Sequence, residues 1–309
     1  MRTIHLPALK REVSRLGIGS MIFSPQSKAL TFELLDAFVS IGGNLVDTAA
    51  AYGNGESERA VGMWLAERAN RSRIVIMAKA CHHADTDINP EGIRSGINGN
   101  LERLGTDYLD LFLLHRDNPA VPVAVIVDVL NEEVAAGRIR AFGGSNWSVA
   151  RLRAANEYAE KRGLMGMAAS SPHVCLALSQ DPFWGGCTQA TDEDLAWYSQ
   201  TGLIVFAWSS QGRGFFRDGS GPDDPDPDLQ RVYHNPPNFE RLARARRLAR
   251  DKGLTATQIA LSYVLSLPAP IVALIGPATV QELHQSLAAS EITLTQAEMD
   301  WLNLKTAEP

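Results

Sequence analysis

The chain has 309 residues, 45% apolar and 21% charged, with a net charge of −6 from 29 basic and 35 acidic side chains. That composition suits a globular protein with a large core, and the acidic balance argues against a nucleic-acid surface or an anionic membrane as its main partner. Three cysteines, Cys81, Cys175 and Cys187, give no disulfide framework and no C-x-x-C pair, so a reduced, cytoplasmic setting is expected. No signal-peptide core or apolar run of spanning length is seen.

Residues 3–13 are read as a short hairpin outside the main fold. Strand patterns then alternate with helical ones. Strand Arg15–Gly19 precedes helix Ser27–Ile41, Asn44–Asp47 precedes Gly55–Ala69, and Ile74–Lys79 precedes Pro90–Leu104. Leu109–His115 precedes Val121–Ala136, and Ile139–Ser145 precedes Ser148–Lys161. Met167–Ser170 leads to Ala190–Gln200, and Leu203–Trp208 to Phe239–Lys252 with Ala256–Leu265. Ala273–Ile275 leads to Val280–Ala289, and a last helix is predicted over Thr295–Leu304. In Val121–Ala136 the period is plain, with Val121, Val125, Val129 and Leu130 on one face and Gly137 as the stop. Alternating β and α patterns predict a parallel sheet with crossover helices. Eight such units in one chain predict a single-domain α/β fold, the (β/α)8 TIM barrel. Two loops are long: Ser171–Gly186, carrying Phe183 and Trp184, and the aspartate-rich Gln211–Asn238, expected as a solvated lid.

Four residues carry the chemistry. Asp47, Lys79 and His115 each end an apolar strand, and Tyr52 follows on the loop after the first. A parallel barrel gathers the carboxyl ends of its strands at one face, so these groups converge on one pocket. A carbonyl-reducing site needs a proton donor beside its hydride source. A tyrosine hydroxyl, with an ordinary pKa near ~10, becomes a better acid when a cation stands beside it. Lys79 supplies that charge, Asp47 holds Lys79, and His115 orients the substrate oxygen or passes the proton.

The segment from Gly43 to Glu58, containing Asp47-Thr48-Ala49-Ala50-Ala51-Tyr52-Gly53, resembles the first signature of the aldo-keto reductase superfamily. That resemblance runs over nearly the whole chain and implies a TIM barrel with Asp47, Tyr52, Lys79 and His115 as catalytic tetrad. It also implies a nicotinamide cofactor, NADP(H) or NAD(H), lying extended across the barrel mouth. Gly19, Ser20 and Met21 resemble the loop at the nicotinamide ribose, and Ser145-Asn146 the pair that holds the carboxamide. Trp208 stands where the family stacks an aromatic on the nicotinamide, and Ser209, Ser210, Gln211, Gly212 and Arg213 resemble the pyrophosphate loop. Ile275, Gly276, Pro277, Ala278 and Thr279 resemble the adenosine-phosphate segment, where a helix N-terminus favours anions.

Three departures bear on cofactor choice. Ser171 stands where the family often has a glutamine bonding the carboxamide. Ala278 and Glu282 replace arginine-type residues that hold the 2′-phosphate of NADP, so relaxed selectivity with NAD usable is expected. Gln285-Ser286 replaces a common Glu-Asn contact to adenine. Met21, Ile22, Tyr52, His82, His115, Phe183 and Trp184 are expected to wall the substrate pocket. The expected partner is a small carbonyl or alcohol, including keto-sugars. Two alternatives remain: a non-catalytic subunit that binds the dinucleotide as a redox sensor, and a metal-dependent barrel hydrolase using His82, His83 and His115. No metal is expected, because Cys81-His82-His83 lacks H-x-H or H-E-x-x-H spacing.

Overall fold

The computed structural model describes residues 1–308. β1 (Thr3–Leu6) and β2 (Arg11–Ser14) form an antiparallel hairpin. Eight further strands follow: β3 (Leu16–Gly19), β4 (Leu45–Asp47), β5 (Val75–Ala80), β6 (Leu109–Leu114), β7 (Ile139–Ser145), β8 (Ala169–Ser171), β9 (Ile204–Ala207) and β10 (Ile271–Ile275). They pair in parallel, in chain order, and β10 returns to β3 to close the barrel. The predicted TIM barrel is the observed fold, and the hairpin lies outside the barrel sheet as expected.

Strand alternation explains the two layers of core. Leu45, Val75, Met77, Leu111, Leu113, Phe206 and Leu274 pack together inside the barrel, with Leu6 and Val13 of the hairpin joining them at one end. The alternate residues, among them Val46, Ile76, Ala78, Phe112 and Val205, pack outward against the helices. This parity matters for the site. Asp47 stands two residues after Leu45, Lys79 two after Met77, and His115 two after Leu113. Each continues the inward row to its upper end, so the barrel brings the three together.

The crossover helices include α1 (Lys28–Ser40), α2 (Glu56–Arg68), α3 (Ala84–Asp87), α4 (Pro90–Leu104), α5 (Val123–Ala135), α6 (Val149–Arg162) and α7 (Asp192–Thr201). α8 (Pro227–Tyr233), α9 (Pro236–Lys252), α10 (Ala256–Ser266), α11 (Val280–Ser290) and α12 (Gln296–Leu302) complete the chain. Among the described residues no helix is long and apolar enough to cross a membrane.

The stretch expected as one long solvated loop, Gln211–Asn238, is more ordered than that. It holds the whole of α8 and the start of α9. Asp226 caps α8 by accepting from the backbone N–H groups of Asp228 and Leu229, with Pro227 at the first helical position. Asn235 caps α9 in the same manner, so that helix begins at Pro236 rather than Phe239. Asp224 is buried and pairs with Arg217 at 2.6 Å. Asp226 caps a helix and Asp224 closes an ion pair, so the segment is not a uniformly solvated lid.

Candidate active site

At the carboxyl ends of the strands lies a cavity of about 890 Å³. Its floor is the predicted tetrad. Lys79 Nζ is ion-paired with Asp47 Oδ1 and donates to the Tyr52 hydroxyl at 3.2 Å. The edge of one ring meets the face of the other where Tyr52 and His115 approach, centroids 6.0 Å apart. Tyr52 is positioned by a tight turn: Gly53, Asn54 and Gly55 all adopt left-handed φ, of 56°, 54° and 87°. At Gly55 a Cβ would also fall 2.5 Å from Arg103 Cδ, so both the backbone and the packing require glycine there.

Lys79 is held in a second layer too. Asn100 donates to the Lys79 carbonyl at 3.3 Å and to Glu58 Oε1 at 2.5 Å, and Arg103 pairs with Glu58 at 2.6 Å. Burial alone would lower the Lys79 ammonium, but Asp47 and Tyr52 together outweigh it and raise its pKa, keeping it protonated. Burial pushes Asp47 up against the pull of Lys79. Lys79 pulls the Tyr52 phenol down, the direction expected of a neighbouring cation, but other groups act on it more strongly. Burial, then the Asp47 charge, raise the phenol above its ordinary value, outweighing Lys79 and Arg116. The hydroxyl is therefore fully protonated at neutral pH and available as a donor. His115 is driven well below its ordinary value, first by burial and then by Lys79, Arg116 and His82. Its Nδ1 is buried without a partner, which leaves Nε2 as the nitrogen with access to the cavity.

Along one side of the cavity lie Gly19, Met21 and Ile22, then Ser145 and Asn146, then Trp208, Ser209, Ser210, Gln211 and Arg213. At the far end lie Ile275, Gly276 and Pro277, with Glu282, Gln285 and Ser286 of α11. Three non-glycine residues on this wall take left-handed backbone, Asn146 (φ 61°), Ser209 (φ 53°) and Arg213 (φ 51°), and such conformations concentrate where a ligand is clamped. The Trp208 indole stacks on His173 with centroids 4.6 Å apart and planes 22° apart, and the same indole forms part of the cavity wall. Met21, Ile22 and Trp184 remain exposed at the mouth.

Six predicted site residues lie off the wall. Ser20 is buried, sharing a 2.6 Å hydrogen bond with Ser57 that ties the loop after β3 to α2. Ser171 is buried, and its hydroxyl donates to the Phe206 carbonyl at 2.8 Å, so it does not stand in for a longer amide side chain. Gly212 is buried beneath the wall, and a Cβ there would press on Phe216 at 3.0 Å. Thr279 caps α11 and Ala278 gives its N–H to Glu282, and neither lines the cavity. Phe183 is buried against Tyr233 and His173, and so anchors its loop while Trp184 faces the cavity.

The cavity also recruits residues that sequence reasoning missed, notably Arg116, Cys187, Arg217, Thr255 and Gln258. A signal existed for three of them. Arg116 directly follows His115, and Thr255-Ala256-Thr257-Gln258 is a capping-box pattern that opens α10 at the cavity rim.

A tyrosine hydroxyl beside an ion-paired lysine and a histidine thus lies at the floor of a long cleft. The family model described as Aldo/keto reductase family matches residues 15–305. The chain belongs to the aldo/keto reductase family and is an oxidoreductase of that class. Norsolorinic acid reductase of Aspergillus flavus is 28% identical over 319 residues, covering 96% of this chain and 78% of that protein. The uncharacterized oxidoreductase YrpG of Bacillus subtilis is 28% identical, with 98% and 95% covered. An aldo/keto reductase of Klebsiella pneumoniae, solved with NADP and acetate, shares the fold with a TM-score of 0.75 at 24% identity, covering 99% of this chain and 96% of that one.

Proposed function

We propose that the protein reduces the carbonyl of a small aldehyde or ketone to an alcohol, reversibly, with a nicotinamide dinucleotide bound along the cavity. One observation carries this reading: Tyr52 Oη stands 3.2 Å from the Asp47-paired Lys79 ammonium, beside His115, at the floor of that cavity. The cofactor supplies the hydride. Tyr52 donates the proton to the developing alkoxide, Lys79 stabilises the phenolate left behind, and Asp47 holds Lys79 in place. Neutral His115 directs Nε2 at the substrate oxygen and orients it.

The cleft suits an extended dinucleotide. Both amide hydrogens of Asn146 are engaged, with Ser145 Oγ and the His115 carbonyl, and Thr188 N–H occupies one acceptor site of its oxygen. Acceptor capacity remains on Asn146 Oδ1 and Ser145 Oγ, which fits the donor end of a carboxamide. Trp208, backed by His173, offers a platform for a flat ring. At the far end Glu282 Oε2 accepts from Ala278 N–H at 2.8 Å, and its negative charge disfavours a further phosphate beside it. This supports NADH as well as NADPH as donor. The test is cofactor-dependent turnover of aldehydes, ketones and keto-sugars with each cofactor, alongside Tyr52→Phe. Turnover undiminished in that variant would remove Tyr52 from the reaction.

A further inference from the structure

Arg116 is the outlying charge in this site. It follows His115 at the end of β6, lines the cavity and is only 6% exposed. Its Nη1 donates to the His115 carbonyl at 2.8 Å and its Nε to the Gly185 carbonyl at 3.0 Å. Both partners are neutral. Among the described residues, no partner engages Nη2 and no carboxylate stands within ion-pair reach. The nearby acids are committed elsewhere: Asp47 to Lys79, and Asp117 to Arg151 at 3.0 Å. Arg116 lines the cavity, and its unengaged Nη2 is free to donate to an anion arriving with a ligand. The backbone holds the group in place. Gly186 packs on its stem, where an added Cβ would come within 3.1 Å of Arg116 Cδ, and the Trp147 indole donates to the Arg116 carbonyl at 3.1 Å.

We infer that Arg116 is a carboxylate-binding residue, and that the substrate of this site is an apolar aldehyde or ketone bearing a carboxylate. The inference rests on the carbonyl-reductase reading for its reaction, and on Arg116 alone for its anion. The exposed Met21, Ile22 and Trp184 at the mouth suit the apolar body, and Arg116 near the tetrad suits the charged end.

The first measurement is binding, so it does not depend on turnover. Benzoate and benzamide, matched in shape but not charge, are titrated into the protein saturated with NADP⁺, read by calorimetry. The expected result is benzoate binding at least ~10-fold tighter, with Arg116→Gln collapsing that ratio toward one and Arg116→Lys retaining part of it. A purely structural arginine would weaken both ligands together and leave the ratio intact, which overturns the inference. So does a wild-type ratio near one, or a preference that appears only without cofactor, since Arg116 would then pair with a cofactor phosphate. The second measurement compares kcat/KM for 4-carboxybenzaldehyde and methyl 4-formylbenzoate. Reduction of both at equal efficiency removes the carboxylate subsite and leaves the reductase reading standing. Reduction of neither counts against the reductase reading, and the benzoate ratio still decides the anion site.

Discussion

The imidazole of His173 lies against the indole of Trp208, centroids 4.6 Å apart, while its Nε2 shares a 2.8 Å hydrogen bond with the Tyr233 hydroxyl and its Nδ1 a 3.2 Å contact with Ser179 Oγ. One buried ring thus joins strand β9's end, the loop carrying Trp184 and helix α8. This gives stability a pH dependence. Burial, then Arg213, lowers His173 to about 3 from an ordinary 6.5. Between those values the unfolded chain binds more protons than the folded one. The contribution is therefore full above about pH 6.5 and lost on acidification, at up to ~1.4 kcal/mol per pH unit. His115, also lowered by burial, adds to the same slope. Urea melts between pH 7 and 4 will show falling stability, and His173→Gln will flatten the slope while lowering stability at pH 7.

If Tyr52 is the proposed proton donor, Tyr52→Phe will reduce kcat by at least ~100-fold, since it removes the hydroxyl held at 3.2 Å from Lys79. Dinucleotide affinity, measured by fluorescence titration, will change little, since the ring remains in place. A large loss of cofactor binding instead would make Tyr52 a wall residue.

Lys79→Met strands the buried Asp47 carboxylate. The expected cost is roughly 3–5 kcal/mol of unfolding free energy, read from denaturant midpoints. Adding Asp47→Asn in the same chain will recover part of it, because the orphaned charge is removed. Additive losses would show that the two groups are not coupled.

Glu282→Gln keeps an acceptor for the Ala278 amide but removes the charge. The affinity ratio of NADPH to NADH will rise roughly fivefold, about 1 kcal/mol for one charge near a solvent-exposed phosphate. An unchanged ratio would place the 2′-position elsewhere.

Gly143→Ala tests the barrel itself. Gly143 lies opposite Ala169 in the β7–β8 pairing, and a Cβ there would stand 2.2 Å from the Ala169 carbonyl oxygen. β7 cannot move without opening the ladder on both sides, so a loss of ~1–3 kcal/mol is expected in thermal or urea unfolding.

Much of this was legible in one dimension because period-2 burial and strand-end polarity are local properties. Leu45 and Asp47, Met77 and Lys79, and Leu113 and His115 share a parity that any closed parallel barrel turns into one convergent floor. The cap of α8 at Asp226-Pro227 is a local signal too, set within an aspartate-rich stretch whose composition reads as solvated loop. Other features depend on neighbours far apart in the chain. Ser171 reads as a ligand group until the Phe206 carbonyl claims its hydroxyl, and Phe183 reads as a pocket wall until Tyr233 and His173 cover it.

The linear sequence determined the barrel, the strand ends and the convergence of Asp47, Tyr52, Lys79 and His115, since residue type and spacing suffice for these. Only the tertiary structure decided which polar groups are left unspent. Burial raises Tyr52 despite its lysine, Glu282 caps its own helix, and Arg116 is buried with one amino group unmatched. Desolvation and hydrogen-bond satisfaction are sums over everything packed around a group, and those neighbours come from strands and loops distant in sequence.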